Sequence, residues 1–199
     1  MAEGYGKKEI SDRVLWKRLK EGDREALKNL FLRYHEDLYL YACKLSGDTY
    51  LANDCIQELF FRIWDRREYL GEVSSAKSYL WVSLRRDVFK AINEKPHSTG
   101  KNDVFSHPDM LTFTSEDFII HDESRREQKQ ALIEALNQLP ERHREAIVLK
   151  YFNGMGYGEI QQIMSVNYQT ARNYVYHGIK ALKHQFRDRI FVPVRRTAV

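Results

Sequence analysis

Asp54, Gln57, Glu58 and Phe61 recur at i, i+3, i+4 and i+7, which on a helix sets two carboxylates, an amide and an aromatic ring in one stripe. Such a stripe suits a basic partner helix. The alternative is a solvated polar face with Phe61 turned into the core. A second constellation follows, in which Lys77, Arg85, Arg86 and Lys90 stand against Asp87 and are interleaved with Tyr79, Trp81 and Phe89. Surfaces for single-stranded nucleic acid combine cations with stacking rings in this way. Core packing competes for the rings; it is favoured for Tyr79 and Phe89, while Trp81 stays open.

The third constellation lies between Gly156 and Phe186. A short helix (YGEIQQIM), a tight connection (SVN) and a longer helix (YQTARNYVYHGIKALKHQF) give the layout of a helix-turn-helix. Asn167 caps the longer helix. Ile160, Ile163, Ala171, Val175, Ile179 and Leu182 are spaced to hold the pair together, leaving Tyr168, Gln169, Arg172, Asn173 and Tyr176 outward, near the end that enters a major groove. Arg pairs bidentately with guanine edges, and Asn or Gln with adenine. His177, Lys180 and Lys183 fall further along, near phosphates. An ordinary helical hairpin with a wet outer face is the competing explanation.

Enzymatic chemistry finds no such support. His35, His97, His107, His121, His143, His177 and His184 are scattered, and the sequence holds no P-loop, GxSxG, HExxH or paired metal-ligand spacing. No catalytic residue, metal or cofactor is therefore expected. Cys43 and Cys55 lack CxxC or Cys/His spacing and read as packed thiols.

The elements that must position these groups are all helical. Only four prolines and ten glycines occur in 199 residues, apolar residues recur at three- and four-residue spacing, and no period-2 strand is evident. Helices are expected from about Asp12 to Lys20, Arg24 to Leu45, Leu51 to Arg67 and from near Ser75 to Ile92, enough to bury one shared core. Ile56, Leu59, Phe60, Ile63 and Trp64 are placed inward on the third. Periodicity resumes near Glu127, with segments ending at Pro140, Phe152, Met164 and Phe186. Between them the pattern lapses into a linker, although Val104, Phe105, Met110, Leu111, Phe113, Phe118, Ile119 and Ile120 suit part of it to docking on a partner. The expected fold is all-α, with two small helical domains (10–93 and 127–187), a linker (94–126) and a basic tail (188–199).

A chain with 43% hydrophobic and 30% charged residues and no apolar run near 20 residues is not expected to insert in a membrane. The opening MAEGYGKKEISDRV has no apolar stretch with a small-residue cleavage site, which predicts a cytoplasmic location. Net charge is +4, but the segment from Tyr168 to Val199 alone carries +6, so basic charge gathers at one end, as a nucleic-acid contact requires. A solvated tail is the alternative.

Two helical domains, a loose linker and a helix-turn-helix in the second resemble an RNA polymerase sigma factor of the sigma-70 family, extracytoplasmic function group. Residues 51–64 (LANDCIQELFFRIW) look like the region 2 helix that binds the clamp of the polymerase largest subunit. Residues 78–86 (SYLWVSLRR) are similar to the helix facing the promoter −10 element, and residues 136–152 with the helix-turn-helix look like region 4, which meets the −35 element. The match covers most of residues 24 to 186 apart from the linker. The resemblance implies polymerase binding by Asp54, Gln57, Glu58 and Phe61. It implies −10-side DNA binding by Arg66, Arg67, Lys77, Trp81, Arg85, Arg86 and Lys90, with residues 66–75 in the position of the family's base-capturing loop. It implies −35-side binding by Tyr168, Gln169, Arg172, Asn173, Tyr176 and Lys180. Its implied partners are bacterial core RNA polymerase, through clamp and flap regions, promoter DNA, and an anti-sigma factor or other recruiting factor.

The sequence departs from that pattern where promoters are read. Arg86 and Lys90 stand where the family often has Asn and Asp, Gln161 replaces Ala in Glu-Ile-Ala, and Ala171 replaces an early Val of the recognition helix. Added positive charge strengthens phosphate attraction without encoding sequence. Retained polymerase binding with relaxed promoter selection, and recruitment by another factor, is the resulting expectation. The rival is a helix-turn-helix regulator that dimerises through its N-terminal helices and never enters polymerase.

Overall fold

A computed structural model describes residues 10–94, 111–114 and 126–190, with 186–190 as backbone alone. The described residues are helical without a strand: α1 (Asp12–Lys20), α2 (Arg24–Ser46), α3 (Thr49–Asp65), a 3-10 turn (Arg67–Tyr69), α4 (Ala76–Glu94), α5 (Arg126–Asn137), α6 (Glu141–Ile147), a π-helical turn (Val148–Phe152), α7 (Tyr157–Met164) and α8 (Tyr168–Ile190). Helices α1–α4 form one compact unit and α5–α8 a second.

In the N-terminal unit two aspartates set the helix starts. The Asp23 carboxylate accepts from the Glu25 and Ala26 amides at 2.8 and 3.3 Å, and Asp48 accepts from those of Tyr50 and Leu51 at 2.9 and 3.1 Å. Asp48 therefore starts α3 at Thr49, two residues before the expected Leu51. The αL conformation of Gly47 (φ 65°) closes α2 just before this cap, which a Cβ-bearing residue would adopt at a cost. The core joins Leu15 and Leu19 of α1, Leu30, Leu38 and Tyr41 of α2, Ile56 and Leu59 of α3, and Leu80 and Leu84 of α4. Trp16 ties α1 to the loop before α4, donating Nε1 to the Gly71 carbonyl at 3.3 Å and meeting Tyr79 edge-on at 5.0 Å. An Arg62–Asp87 ion pair joins α3 to α4.

Three expectations are corrected. Trp64 is not inward: it is half-buried, with the guanidinium of Arg67 at 4.7 Å and that of Arg24 at 5.9 Å from its ring centroid. The segment 141–152 is not one α-helix, because α6 ends at Ile147 and a π turn follows, closed by the Asn153 amide on the Val148 carbonyl at 3.1 Å. That wider turn lets Val148 and Leu149 both face inward while Tyr151 and Phe152 stay exposed. Finally, within the expected linker, Leu111 and Phe113 are buried in the C-terminal unit rather than left for a partner. Val104, Phe105, Met110, Phe118, Ile119, Ile120 and the basic tail from 191 onward lie outside the described residues.

Cys55 is buried and Cys43 half-buried. Among the described residues no group of His, Cys, Asp and Glu could hold a metal ion, and no helix is long and apolar enough to cross a membrane.

Candidate protein and nucleic-acid interfaces

The outer face of α3 carries Asn53, Asp54, Gln57, Glu58, Phe61 and Asp65, all exposed, against an inner face of Leu51, Cys55, Ile56, Leu59, Phe60 and Ile63. The choice left open for Phe61 is thus decided, since its ring is 66% exposed. Beside it stands a group the sequence reading missed. Phe31 of α2 meets Phe60 of α3 at 5.0 Å, and the residue following each, Leu32 (68% exposed) and Phe61, points outward. Leu32 escaped notice because periodicity picks out the buried stripe of α2 and gives no role to an apolar residue that falls outside it.

On α4, Arg86 and Lys90 are exposed and Arg85 half-buried, its guanidinium 4.5 Å from the Phe89 ring centroid. Lys90 also approaches Glu94 at 3.7 Å. Two −10-side candidates prove less available. Trp81 is 0% exposed, packed edge-on against Tyr34 at 5.8 Å with the Lys77 ammonium 5.6 Å from its centroid, so it is a core ring and not a stacking platform. Arg67 is engaged by the Trp64 carbonyl at 3.0 Å and by Glu68 at 3.1 Å, whereas Arg66 is exposed at the end of α3. Between α1 and the start of α4 lies a cavity of about 200 Å³, lined by Asp12, Arg13, Trp16 and residues 72–76. Glu72 at its edge is held below the usual carboxylate range by a hydrogen bond and ion pair with Lys20 at 3.0 Å.

In the C-terminal unit the helix-turn-helix is α7 and α8. The Glu159 carboxylate accepts from the Gly156 amide at 2.8 Å at the start of α7, and Asn167 caps α8 by accepting from the Thr170 amide at 2.7 Å. Ile160, Ile163, Ala171, Val175 and Leu182 are buried and Ile179 is half-buried, so Ala171 is accommodated without exposure. Tyr168, Gln169, Arg172, Asn173, Tyr176 and Lys180 are all exposed. Gln169 donates to Asn173 at 2.9 Å, orienting both amides along one face. Tyr151, which the sequence reading also missed, joins Tyr157, Arg172 and Tyr176 around a groove of about 290 Å³ on this face. The irregular π turn puts Tyr151 there, a placement that helical periodicity does not forecast.

Behind α8, His143 of α6 meets Tyr174 at 5.2 Å and His177 at 6.3 Å. Burial, and secondarily the His177 charge, hold His143 below its ordinary value of 6.5. The unfolded chain therefore takes up this proton first as pH falls. Stability is fully present above 6.5 and declines as pH drops through that value toward the lower native one. Denaturant midpoints of the C-terminal unit are expected to fall between about pH 7.5 and about pH 5.5, and the fall is expected to be shallower in His143→Gln.

A family model for sigma-70 region 2 matches residues 30–95, and one for sigma-70 region 4 matches residues 129–182. The chain belongs to the sigma-70 family. Among curated proteins, this sigma factor is 26% identical over 195 residues to the ECF RNA polymerase sigma-E factor of Escherichia coli K12, covering 89% of this chain and 95% of that one. It is 24% identical over 179 residues to the ECF RNA polymerase sigma factor SigW of Bacillus subtilis, covering 86% and 95%. These relatives place the sigma factor in the extracytoplasmic function group. The fold is shared with CnrH, solved in complex with the cytosolic domain of CnrY (TM-score 0.59, 15% identity, 89% of this chain and 97% of that one). It is shared also with RpoE of Bartonella quintana, solved with the anti-sigma factor NepR (TM-score 0.56, 21% identity, 80% and 96%).

Proposed function

We propose that this sigma factor docks on bacterial core RNA polymerase through the outer face of α3, and directs initiation at promoter DNA through α4 on the −10 side and α8 on the −35 side. The observation that carries the reading is the Phe61 ring, exposed amid Asp54, Gln57 and Glu58 beside exposed Leu32. Folding gains nothing from leaving these two apolar side chains in water, while an interface with a basic helix uses both them and the carboxylates. Membership of the sigma-70 family does not favour a regulator that stays off polymerase. The cavity before α4 lies in the loop that resembles the family's base-capturing region, and it is the proposed receptor for an unstacked base. An anti-sigma factor that covers the docking faces belongs to the same proposal, by likeness to the complexes of CnrH and RpoE. The site of action is the cytoplasm, and no enzymatic step is assigned.

Arg172 and Asn173 are the proposed base readers of α8. Arg172→Ala is expected to weaken −35-side binding by about 1–3 kcal/mol and to flatten preference at one base position, as read by competition among single-base variants of the site. Arg86 and Lys90 are proposed phosphate contacts. Arg86→Asn is expected to weaken binding to all sequences alike and to lower the slope of log affinity against log salt by about 0.9. Relaxed promoter selection follows from this excess of unspecific charge. Run-off transcription by core polymerase with this sigma factor is then expected to be similar on templates with an intact and with a scrambled −10 element. Strict dependence on that element would overturn that part of the proposal.

A further inference from the structure

Tyr151 stands on the DNA-reading face of the C-terminal unit although it does not belong to the recognition helix. The π-helical turn Val148–Phe152 carries it, and turns of this kind are rare and gather at functional sites. Two further contacts fix that turn: the Met155 amide donates to the Leu149 carbonyl at 2.9 Å, and Lys150 Nζ donates to the Met155 carbonyl at 3.2 Å. The same Lys150 ammonium lies 4.7 Å from the ring centroid of Tyr157, whose ring meets that of Tyr168 edge-on at 6.1 Å. Tyr151, Tyr157 and Tyr176 thus share one groove of about 290 Å³ with Gln169, Arg172 and Asn173. Two of its rings stay largely in water, Tyr151 being 60% and Tyr176 61% exposed, so folding draws little from them. Gln169 Nε2 donates to Asn173 Oδ1 at 2.9 Å, which leaves acceptor capacity on Gln169 and donor capacity on Asn173 for a ligand.

We propose that this groove reads the 5-methyl group of a thymine, and that Tyr151 is a specificity-determining residue for −35-side DNA. The inference rests on the reading of α8 as the helix that enters the major groove. In the major groove thymine presents a C5-methyl beside its O4 acceptor, whereas guanine, adenine and cytosine are told apart there by polar groups. A guanidinium and two amides suit the purine edges, and Arg172, Gln169 and Asn173 supply them. A methyl needs an apolar surface beside those groups, and the tyrosine rings, with Val175 and Ile179 lining the same groove, provide one. Charge decides between DNA and an apolar protein segment as the occupant. Arg172, Lys180 and Lys183 are exposed on α8, and no acidic residue occurs from Tyr168 to Arg187, so the face that holds the groove suits a polyanion.

The test starts with the full chain selecting its preferred sites from random duplex DNA. Each thymine of the selected site is then replaced in turn by deoxyuridine, which removes the methyl and keeps the base pairing, and affinities are measured for native, Tyr151→Phe and Tyr151→Ala. One deoxyuridine is expected to weaken native binding about fourfold, as burial of a single methyl implies. Tyr151→Phe is expected to show the same loss, because the ring face and not the hydroxyl makes the contact. Tyr151→Ala is expected to bind the thymine and deoxyuridine duplexes alike, within about 1.5-fold, and to keep the base preference that depends on Arg172. Any change in DNA shape from the missing methyl acts on all three proteins, so the difference between native and Tyr151→Ala belongs to the ring. The Tyr151 side chain is exposed, and helicity is expected to be unchanged in both variants. The inference is overturned if the selected sites hold no thymine, or if no deoxyuridine distinguishes native from Tyr151→Ala. It is overturned equally if Tyr151→Ala binds every duplex as native does, which would leave the groove to a protein partner, or weakens all of them alike, which would make the ring a backbone contact. A chain that selects no sequence at all would instead contradict the reading of α8 as a base reader, and the role of the groove would fall with it.

Discussion

Trp81→Ala is expected to cost about 3–5 kcal/mol, a large part of the stability of a small domain, and to leave the N-terminal unit substantially unfolded. The ring is fully enclosed, and truncation would open a cavity between α2 and α4, where it meets Tyr34 edge-on. Its Nε1 is buried with no hydrogen-bond partner among the described residues. Trp81→Phe would keep much of the packing and discard that unpaired donor, so its cost is expected to be far smaller. Denaturant unfolding followed by far-UV circular dichroism separates the two variants. Native stability in Trp81→Ala, with weakened binding of single-stranded DNA, would instead make the indole a surface stacking platform.

Asp54→Arg is the second large effect, expected to weaken core polymerase binding about 100-fold, or about 2.7 kcal/mol. Asp54 is exposed on the outer face of α3, so its replacement leaves the fold intact while placing a cation against the basic partner helix. Phe61→Ala removes an exposed ring that would be buried in the complex and is expected to cost about 2 kcal/mol, as central aromatic contacts do. Unchanged helicity in both variants distinguishes lost docking from lost folding. Affinity equal to native in both would move the docking surface elsewhere.

Much of this architecture is legible in the residues because local rules suffice for it. Gly22, Asp23, Gly47, Asp48 and Asn167 mark helix ends through backbone conformation and capping, which depend on a few neighbours, and α1, α7 and the start of α8 fall where those signals put them. The charged and amide groups of α3 and α8 likewise emerge on outer faces, since a 3.6-residue repeat separates them from the buried stripe. Rings and apolar residues at stripe margins escape the same logic. Phe61 and Trp81 both occupy plausible core or surface positions on a helical wheel, and only the packing of α2 against α3 and α4 sends one outward and the other inward. Trp64 was expected inside, but two arginines hold it at the surface, an arrangement between α2, α3 and the following turn. The paired hydrogen bonds between Phe113 and Asn137, more than twenty positions along the chain, have no local signature at all.

Docking through α3 is tested most directly by placing a photo-crosslinking phenylalanine analogue at position 61 and irradiating the full chain with core RNA polymerase. The expected product joins position 61 to the largest subunit, maps to the helical part of its clamp, and disappears when Asp54→Arg is added. A chain that binds polymerase but crosslinks from position 61 only to another copy of itself, or not at all, would contradict docking through this face.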